Sequence, residues 1–325
     1  MAQRILERGE IELLAQRDIP RILLNPAGPD FAARAARLRT LAQDSPMAGY
    51  LALIATLCDA QQVVFDQVDD ASRARLREHA QAAAVAARGT GMPPLNASGW
   101  SRDPQWRDLL KALCEQCDAQ PEVPEGVHAM LQRLREAPTE WLEAQADALL
   151  EVTGAPAVDA ASAPFVMAAL QVHWALLAQA FEAAKLTPMP DVPGLCPVCG
   201  TSPVASLVYA QPPQAGYRYL ACGLCGCQWH HVRVLCSRCG AGGKDIAYQA
   251  ATPEAADAAV AREEAVRAET CEQCHGYRKI LYQEKDAAVE PLADDLATLP
   301  LDLLLGELGY ARASQNPFLW QPAGD

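Results

Sequence analysis

From residue 2 to about residue 186, apolar positions recur at three- and four-residue spacing. Arg34, Ala35, Leu38 and Leu41 share one helical stripe, and Leu51, Ile54, Leu57 and Cys58 share another. Segments rich in Pro, Gly and small polar residues interrupt the pattern at Pro20 to Pro29, at Ser45-Pro46, at Gly89 to Gly99 and at Pro121 to Gly126. The pattern predicts about seven or eight packed helices. The longest uncharged run, Ala160 to Phe181, is long enough to span a bilayer. Pro164, Gln171, His173 and Gln179 interrupt it, alanine supplies much of the rest, and no aromatic or basic girdle marks its ends, so it reads as a buried core helix. Thr187 to Gly194 carries three prolines and cannot extend that helix, which makes it a linker.

Beyond the linker the period changes. Short β-branched and aromatic runs at Ser206 to Tyr209, Tyr217 to Leu220, Trp229 to Leu235 and Lys279 to Tyr282 predict hairpin strands. Pro253 to Glu269 favours helix, with Thr252 as its cap. Pro291 to Gly309 returns to helical spacing, and Pro300 divides it into two short helices.

Composition narrows the function classes. The chain has 325 residues, 50% of them apolar, which is enough for a real core and too long for one small module. Its net charge of −13 argues against nonspecific attraction to nucleic acid or anionic membrane. The acidity is uneven: residues 196–285 hold nine basic and eight acidic side chains, and the surplus lies in the helical front and the tail. Arg4, Glu7, Arg8, Glu10 and Glu12 interrupt the start where an export signal needs apolar residues, so the expected location is cytoplasmic, without membrane insertion. Cysteines clustered in a reducing compartment point to metal or redox chemistry rather than disulfides.

Eight of the twelve cysteines form four C-x2-C pairs: Cys196/Cys199, Cys222/Cys225, Cys236/Cys239 and Cys271/Cys274. Two intervening residues let a tight turn aim both sulfurs at one point, and two such knuckles make a tetrahedral four-sulfur site. Eight sulfurs therefore imply two metal ions. Gly200, Gly226 and Gly240 follow the second cysteine of three knuckles, where a positive φ is readily adopted. Sequential pairing, first knuckle with second and third with fourth, closes two ribbon units through short connections and is the expectation. Cross-braced pairing is the alternative. Spacing does not choose between zinc and iron.

Other candidates are weaker. Cys227 is spare to both sites and reads as a small residue at a strand start or a reactive thiol. His230 and His231 are adjacent on an expected strand, face opposite ways and cannot grip one ion together. His275 follows Cys274 and reads as a surface imidazole or a hydrogen-bond partner of that site. Cys58, Cys114 and Cys117 lie on helical apolar stripes and read as core. No nucleophile arrangement, phosphate-cradling glycine loop or His/carboxylate metal motif is present, so no catalytic residue is named and the chain is not expected to be an enzyme.

Several segments together carry a family resemblance. The four C-x2-C pairs, Arg34-Ala-Ala-Arg-Leu-Arg39, Tyr50-Leu-Ala-Leu-Ile54, and above all the tail Ala293-Asp-Asp-Leu-Ala-Thr-Leu299 with Leu301-Asp302, Gly309-Tyr310 and Asn316-Pro-Phe318 closely resemble the FdhE family of formate dehydrogenase accessory proteins. The resemblance spans nearly the whole chain. It implies a cytoplasmic maturation factor that binds the catalytic subunit of respiratory formate dehydrogenase, with rubredoxin-like sites able to hold iron; zinc is the alternative. By that resemblance Cys196, Cys199, Cys222, Cys225, Cys236, Cys239, Cys271 and Cys274 are the metal ligands. Asp294 and Asp295 match a family motif without assigned chemistry. A rubredoxin-type redox role during maturation is the second reading, and self-association is left open.

The expected fold is multidomain. An all-α domain over residues 1–186 and the linker at 187–194 precede two tandem rubredoxin-like or zinc-ribbon β units, 195–235 and 236–285. The second unit carries an inserted helix, and a short helical tail occupies 286–325.

Overall fold

The computed structural model describes residues 19–43, 45–187, 189, 192–250 and 265–320. The front half contributes seven α-helices among these residues: α1 (Phe31–Ala42), α2 (Ala48–Gln67), α3 (Asp70–Ala86), α4 (Gln105–Asp118), α5 (Glu125–Glu136), α6 (Thr139–Leu149) and α7 (Ala163–Ala178). Their starts follow from local chemistry. The Asp30 carboxylate accepts the Ala33 N–H at 2.7 Å and caps α1, and Asp69 does the same for α3 through the Ser72 N–H at 2.9 Å. Pro164 occupies the first turn of α7, where a missing N–H costs nothing.

The α7 helix is apolar all round, and all of its residues are buried. Such a helix belongs at the centre of a fold. The uncharged run at 160–181 therefore forms the core helix expected of it. A second helix, α2, is long and apolar enough to cross a membrane by length and composition, but 56% of its apolar window is buried inside the protein. Gln61 of α2 donates to Gln171 of α7 at 2.8 Å and to the Ala168 carbonyl at 2.9 Å, so the Gln171 amide is partnered within the core.

The β-rich half forms one sheet. Its strands are β2 (Pro203–Val208), β3 (Arg218–Cys222), β4 (Gln228–His230), β5 (Ile246–Gln249), β6 (Val266–Cys271), β7 (Gly276–Tyr282) and β8 (Ala311–Arg312). β1 (Ile22–Leu23) comes from the front of the chain and pairs antiparallel with β4, Ile22 opposite Trp229. The order is β1-β4-β3-β2-β7-β6-β5, with β8 beside β7. Each knuckle pair sits on an antiparallel meander, and the two meanders meet through a parallel pairing of β2 with β7, Ser206 opposite Ile280. Two short helices, α8 (Pro291–Ala297) and α9 (Leu299–Glu307), close the fold, divided as Pro300 predicts.

Three expectations change. Residues 20–29, read only as a break, supply strand β1. The run Trp229–Leu235 stays in the sheet only as far as His230; the chain then turns toward the third knuckle, leaving Val232 and Val234 exposed. The helix expected over Pro253–Glu269 ends at most at Ala265, because Val266–Cys271 pairs along β7 as strand β6. Cross-strand pairing there outweighs local helix propensity. Residues 253–264 lie outside the described residues.

The tail motif locks the halves together. Asp294 on α8 pairs with Arg37 of α1 at 2.5 Å, and Glu290 pairs with Arg34 at 2.9 Å. Asp295 is buried with Lys279 of β7 at 3.5 Å and with Arg312, while Asn316 donates to it at 2.8 Å. Burial opposes the Asp295 charge, but Lys279 and Arg312 outweigh it and hold the carboxyl below its ordinary value. At Asp294 burial wins over Arg37, and the carboxyl lies above its ordinary value. Tyr50 of α2 donates to the Phe318 carbonyl. Motif residues distant in sequence thus meet at the joint between helices and sheet.

Candidate metal centres

Each of the first three knuckles is a backbone-bonded turn. The Gly200 N–H donates to the Cys196 carbonyl at 2.8 Å, and Gly240 to Cys236 at 3.0 Å. Gly200, Gly226 and Gly240 take φ values of 76°, 75° and 77°. L-residues disfavour this left-handed region, which is why glycine stands there. The fourth knuckle puts His275 in the same conformation, φ 49°, with its ring 6.2 Å from that of Tyr310.

These turns bring the sulfurs together in sequence order. Cys196, Cys199, Cys222 and Cys225 form one group and Cys236, Cys239, Cys271 and Cys274 the other, all sulfurs of a group within 4.8 Å of one another. The cross-braced arrangement is not the one adopted. In the first group Cys196 and Cys225 are 3.6 Å apart and Cys199 and Cys222 are 3.4 Å apart; in the second, Cys236 to Cys274 is 3.8 Å and Cys239 to Cys271 is 3.7 Å. A zinc–sulfur bond of about 2.3 Å places tetrahedral sulfurs about 3.8 Å from one another. Two four-cysteine groups of this size could hold two metal ions.

Electrostatics at the first group point the same way. Burial pushes the Cys196, Cys199 and Cys225 thiols well above their ordinary value. Burial also opposes charge on Cys222, but side-chain hydrogen bonds from Cys196, Cys199, Cys225 and Thr201 converge on its sulfur and hold that thiol well below the ordinary value. The Thr201 hydroxyl lies 3.3 Å from this sulfur, and the Leu224 and Cys225 N–H groups also donate to it, each at 3.3 Å. Four sulfurs in so dry a place carry their full charge only around a cation. Thr201 was not singled out by spacing, although it follows the first knuckle by two residues.

The first group is enclosed by four separate parts of the chain. The loop after α3 pairs with the first knuckle, Leu95 N–H to the Val198 carbonyl and Ala97 N–H to the Cys199 carbonyl, both 2.9 Å. Gln171 of α7 donates to the Gly223 carbonyl inside the second knuckle at 2.7 Å. Pro29 lies against Gly226, Pro93 against Gly200 and Pro317 against Gly223. Cys227 adds a fifth buried sulfur beside Cys196 and Cys225. The second group is open: Cys239 is exposed and Cys274 half-buried.

Family comparisons agree across the chain. Models for the FdhE N-terminal, central and C-terminal domains match residues 19–191, 195–233 and 234–319. The chain belongs to the FdhE family. It is 38% identical over 328 residues to the FdhE homolog of Cronobacter sakazakii and 37% identical over 330 residues to FdhE of Escherichia coli K12, with 100% of each chain covered. The crystal structure of FdhE from Pseudomonas aeruginosa matches 93% of this chain and 99% of its own, at 36% identity and a TM-score of 0.74. FdhE membership supports a role in formate dehydrogenase maturation and agrees with metal-binding cysteine clusters.

The remaining candidates fall outside the FdhE sulfur groups. Cys58, Cys114 and Cys117 are buried core thiols, each pushed up to about 12 by burial and so unreactive. His231 is buried; His230 is half-buried between the rings of Tyr217 and Tyr219, at 5.8 and 5.9 Å.

Proposed function

We propose that this chain is a non-enzymatic maturation factor that binds the catalytic subunit of respiratory formate dehydrogenase in the cytoplasm. Cys196, Cys199, Cys222 and Cys225 would hold one metal ion, and Cys236, Cys239, Cys271 and Cys274 the other. Family membership over the full length supports the maturation role. The observation that carries the division of labour is the contrast in burial: an enclosed sulfur group at the joint of the fold and an open one at its surface. The enclosed group is suited to hold helices and sheet in register, and the open one to face a partner. Capture of the catalytic subunit by the tagged full chain, from cells producing respiratory formate dehydrogenase, is the expected result. Consistent failure to recover the subunit, even after cross-linking, sinks the binding claim.

Exposure of Cys239 favours one further reading, rubredoxin-type electron transfer from iron at the second group during maturation. Metal bound there supplies one-electron chemistry when it is iron; the protein contributes four sulfurs and an approach from solvent. Protein purified without oxygen is expected to show a visible iron–sulfur absorption that bleaches reversibly on reduction. A colourless protein holding two zinc ions removes that reading.

A further inference from the structure

Away from both sulfur groups, a groove of about 760 Å³ crosses the ends of β2 and β7. Tyr209, Arg233, Tyr248, Arg267 and Tyr282 line it, together with Glu284 and Lys285. The parallel pairing of β2 with β7 ends here, Val208 opposite Tyr282, and β5, the outermost strand, brings Tyr248 to the same place.

Two arginines of the groove share one ring. The guanidinium carbons of Arg233 and Arg267 each lie 5.9 Å from the centroid of the Tyr282 ring. Arg34, Arg37, Arg218 and Arg312 each face a carboxylate. Among the described residues no carboxylate is ion-paired with Arg233 or Arg267, and Arg267 Nε is buried without a hydrogen-bond partner. The shared ring attracts both cations but neutralises neither. An anion would supply the missing countercharge, and a carboxylate matches the planar fork of a guanidinium.

We propose that this groove docks an acidic segment of the partner polypeptide, carboxylates on Arg233 and Arg267 and apolar side chains against the three tyrosine rings. The groove is an open trough along strand ends beside an outer strand, a form that suits an extended chain. Charge complementarity favours this occupant: the protein carries −13 overall, so an acidic segment is repelled across most of its surface and attracted here. The proposal rests on the partner-binding reading above.

The test uses the full chain with two probes, the catalytic subunit and a labelled peptide of alternating Glu and Leu with its Gln/Leu counterpart. Arg233 is exposed, so Arg233→Gln leaves the fold intact; Arg233→Gln/Arg267→Gln removes both charges, and circular dichroism checks its folding. Expected are at least tenfold weaker capture of the subunit by the double variant, a smaller loss for Arg233→Gln, and Glu/Leu binding that raised salt and the double substitution both suppress. Undiminished capture by a folded double variant overturns the groove and leaves the maturation reading standing. If the parent chain captures no subunit, that reading fails, and the groove then rests on the peptide alone. Equal binding of the Gln/Leu peptide, or no peptide binding, overturns it.

Discussion

The two cysteine groups share knuckles, pairing order and size, yet differ in what surrounds them. The first is walled by Pro29, Pro93, Gln171 and Pro317, contributed by the front loop, the strap after α3, the core helix and the tail. The second leaves Cys239 exposed, and an added Cβ at Gly240 would meet nothing within 4 Å. Identical local turns can therefore serve as a keystone in one place and as a surface fixture in another. What differs is the tertiary environment, and with it the expected cost of disturbing each site.

The largest effect expected of this contrast is in metal retention. A chelator should remove one metal equivalent quickly and the other only as the protein unfolds. Cys239→Ser should abolish the fast phase with little change in melting temperature. Cys222→Ser should abolish the slow phase and weaken the whole fold, since structural zinc sites contribute about 10–16 kcal/mol in small metal-dependent peptides. Metal analysis alongside thermal unfolding measures this. Release of both equivalents at one rate breaks the comparison.

Glycine substitutions sharpen it at intermediate size. Gly240→Ala should cost about 1–2 kcal/mol, the ordinary penalty of the left-handed conformation. Gly226→Ala carries the same penalty and also drives a Cβ to 2.9 Å from Pro29 Cγ, and Gly200→Ala meets Pro93 Cγ at 2.9 Å. Overpacking adds about 1–3 kcal/mol, so these two should shift the denaturation midpoint roughly twice as far. Equal shifts for all three would show that the walls around the first group yield freely.

The smallest effect concerns pH and the core helix that reaches the first group. His173 on α7 is fully buried with neither ring nitrogen partnered, and burial pushes its pKa from 6.5 down to about 3. The unfolded chain therefore binds a proton below about pH 6.5 that the folded chain refuses. Stability is undiminished above that pH and is lost as pH falls toward about 3, by up to about 1.4 kcal/mol per pH unit from this group. His173→Leu should remove that share, seen as a smaller drop in denaturation midpoint between pH 7 and pH 5. An unchanged drop would locate the acid sensitivity elsewhere.

Much of this was legible in the chain because it is short-range. The C-x2-C turns, the glycines behind them and the apolar stripes of α1, α2, α4 and α7 depend on residues a few positions apart. Segments whose conformation depends on distant partners were misread. Ile22–Leu23 is too short for a strand signal and exists as one because Trp229 and Gln228 lie opposite. Val266–Cys271 follows a helix-favouring stretch but pairs along β7. Asp294 and Asp295 were visible as a motif, while their roles depend on Arg37, Lys279 and Arg312, up to 257 residues away.

The sequence by itself determined the eight sulfurs and their grouping into knuckles, because a tight turn with two intervening residues is a local geometric fact. It also determined the burial of α7, whose composition leaves no polar face. Only the tertiary structure decided that one site is enclosed and the other open. Enclosure is supplied by prolines, a side-chain amide and backbone hydrogen bonds that converge from across the chain, and spacing along a backbone carries no record of what will pack against it.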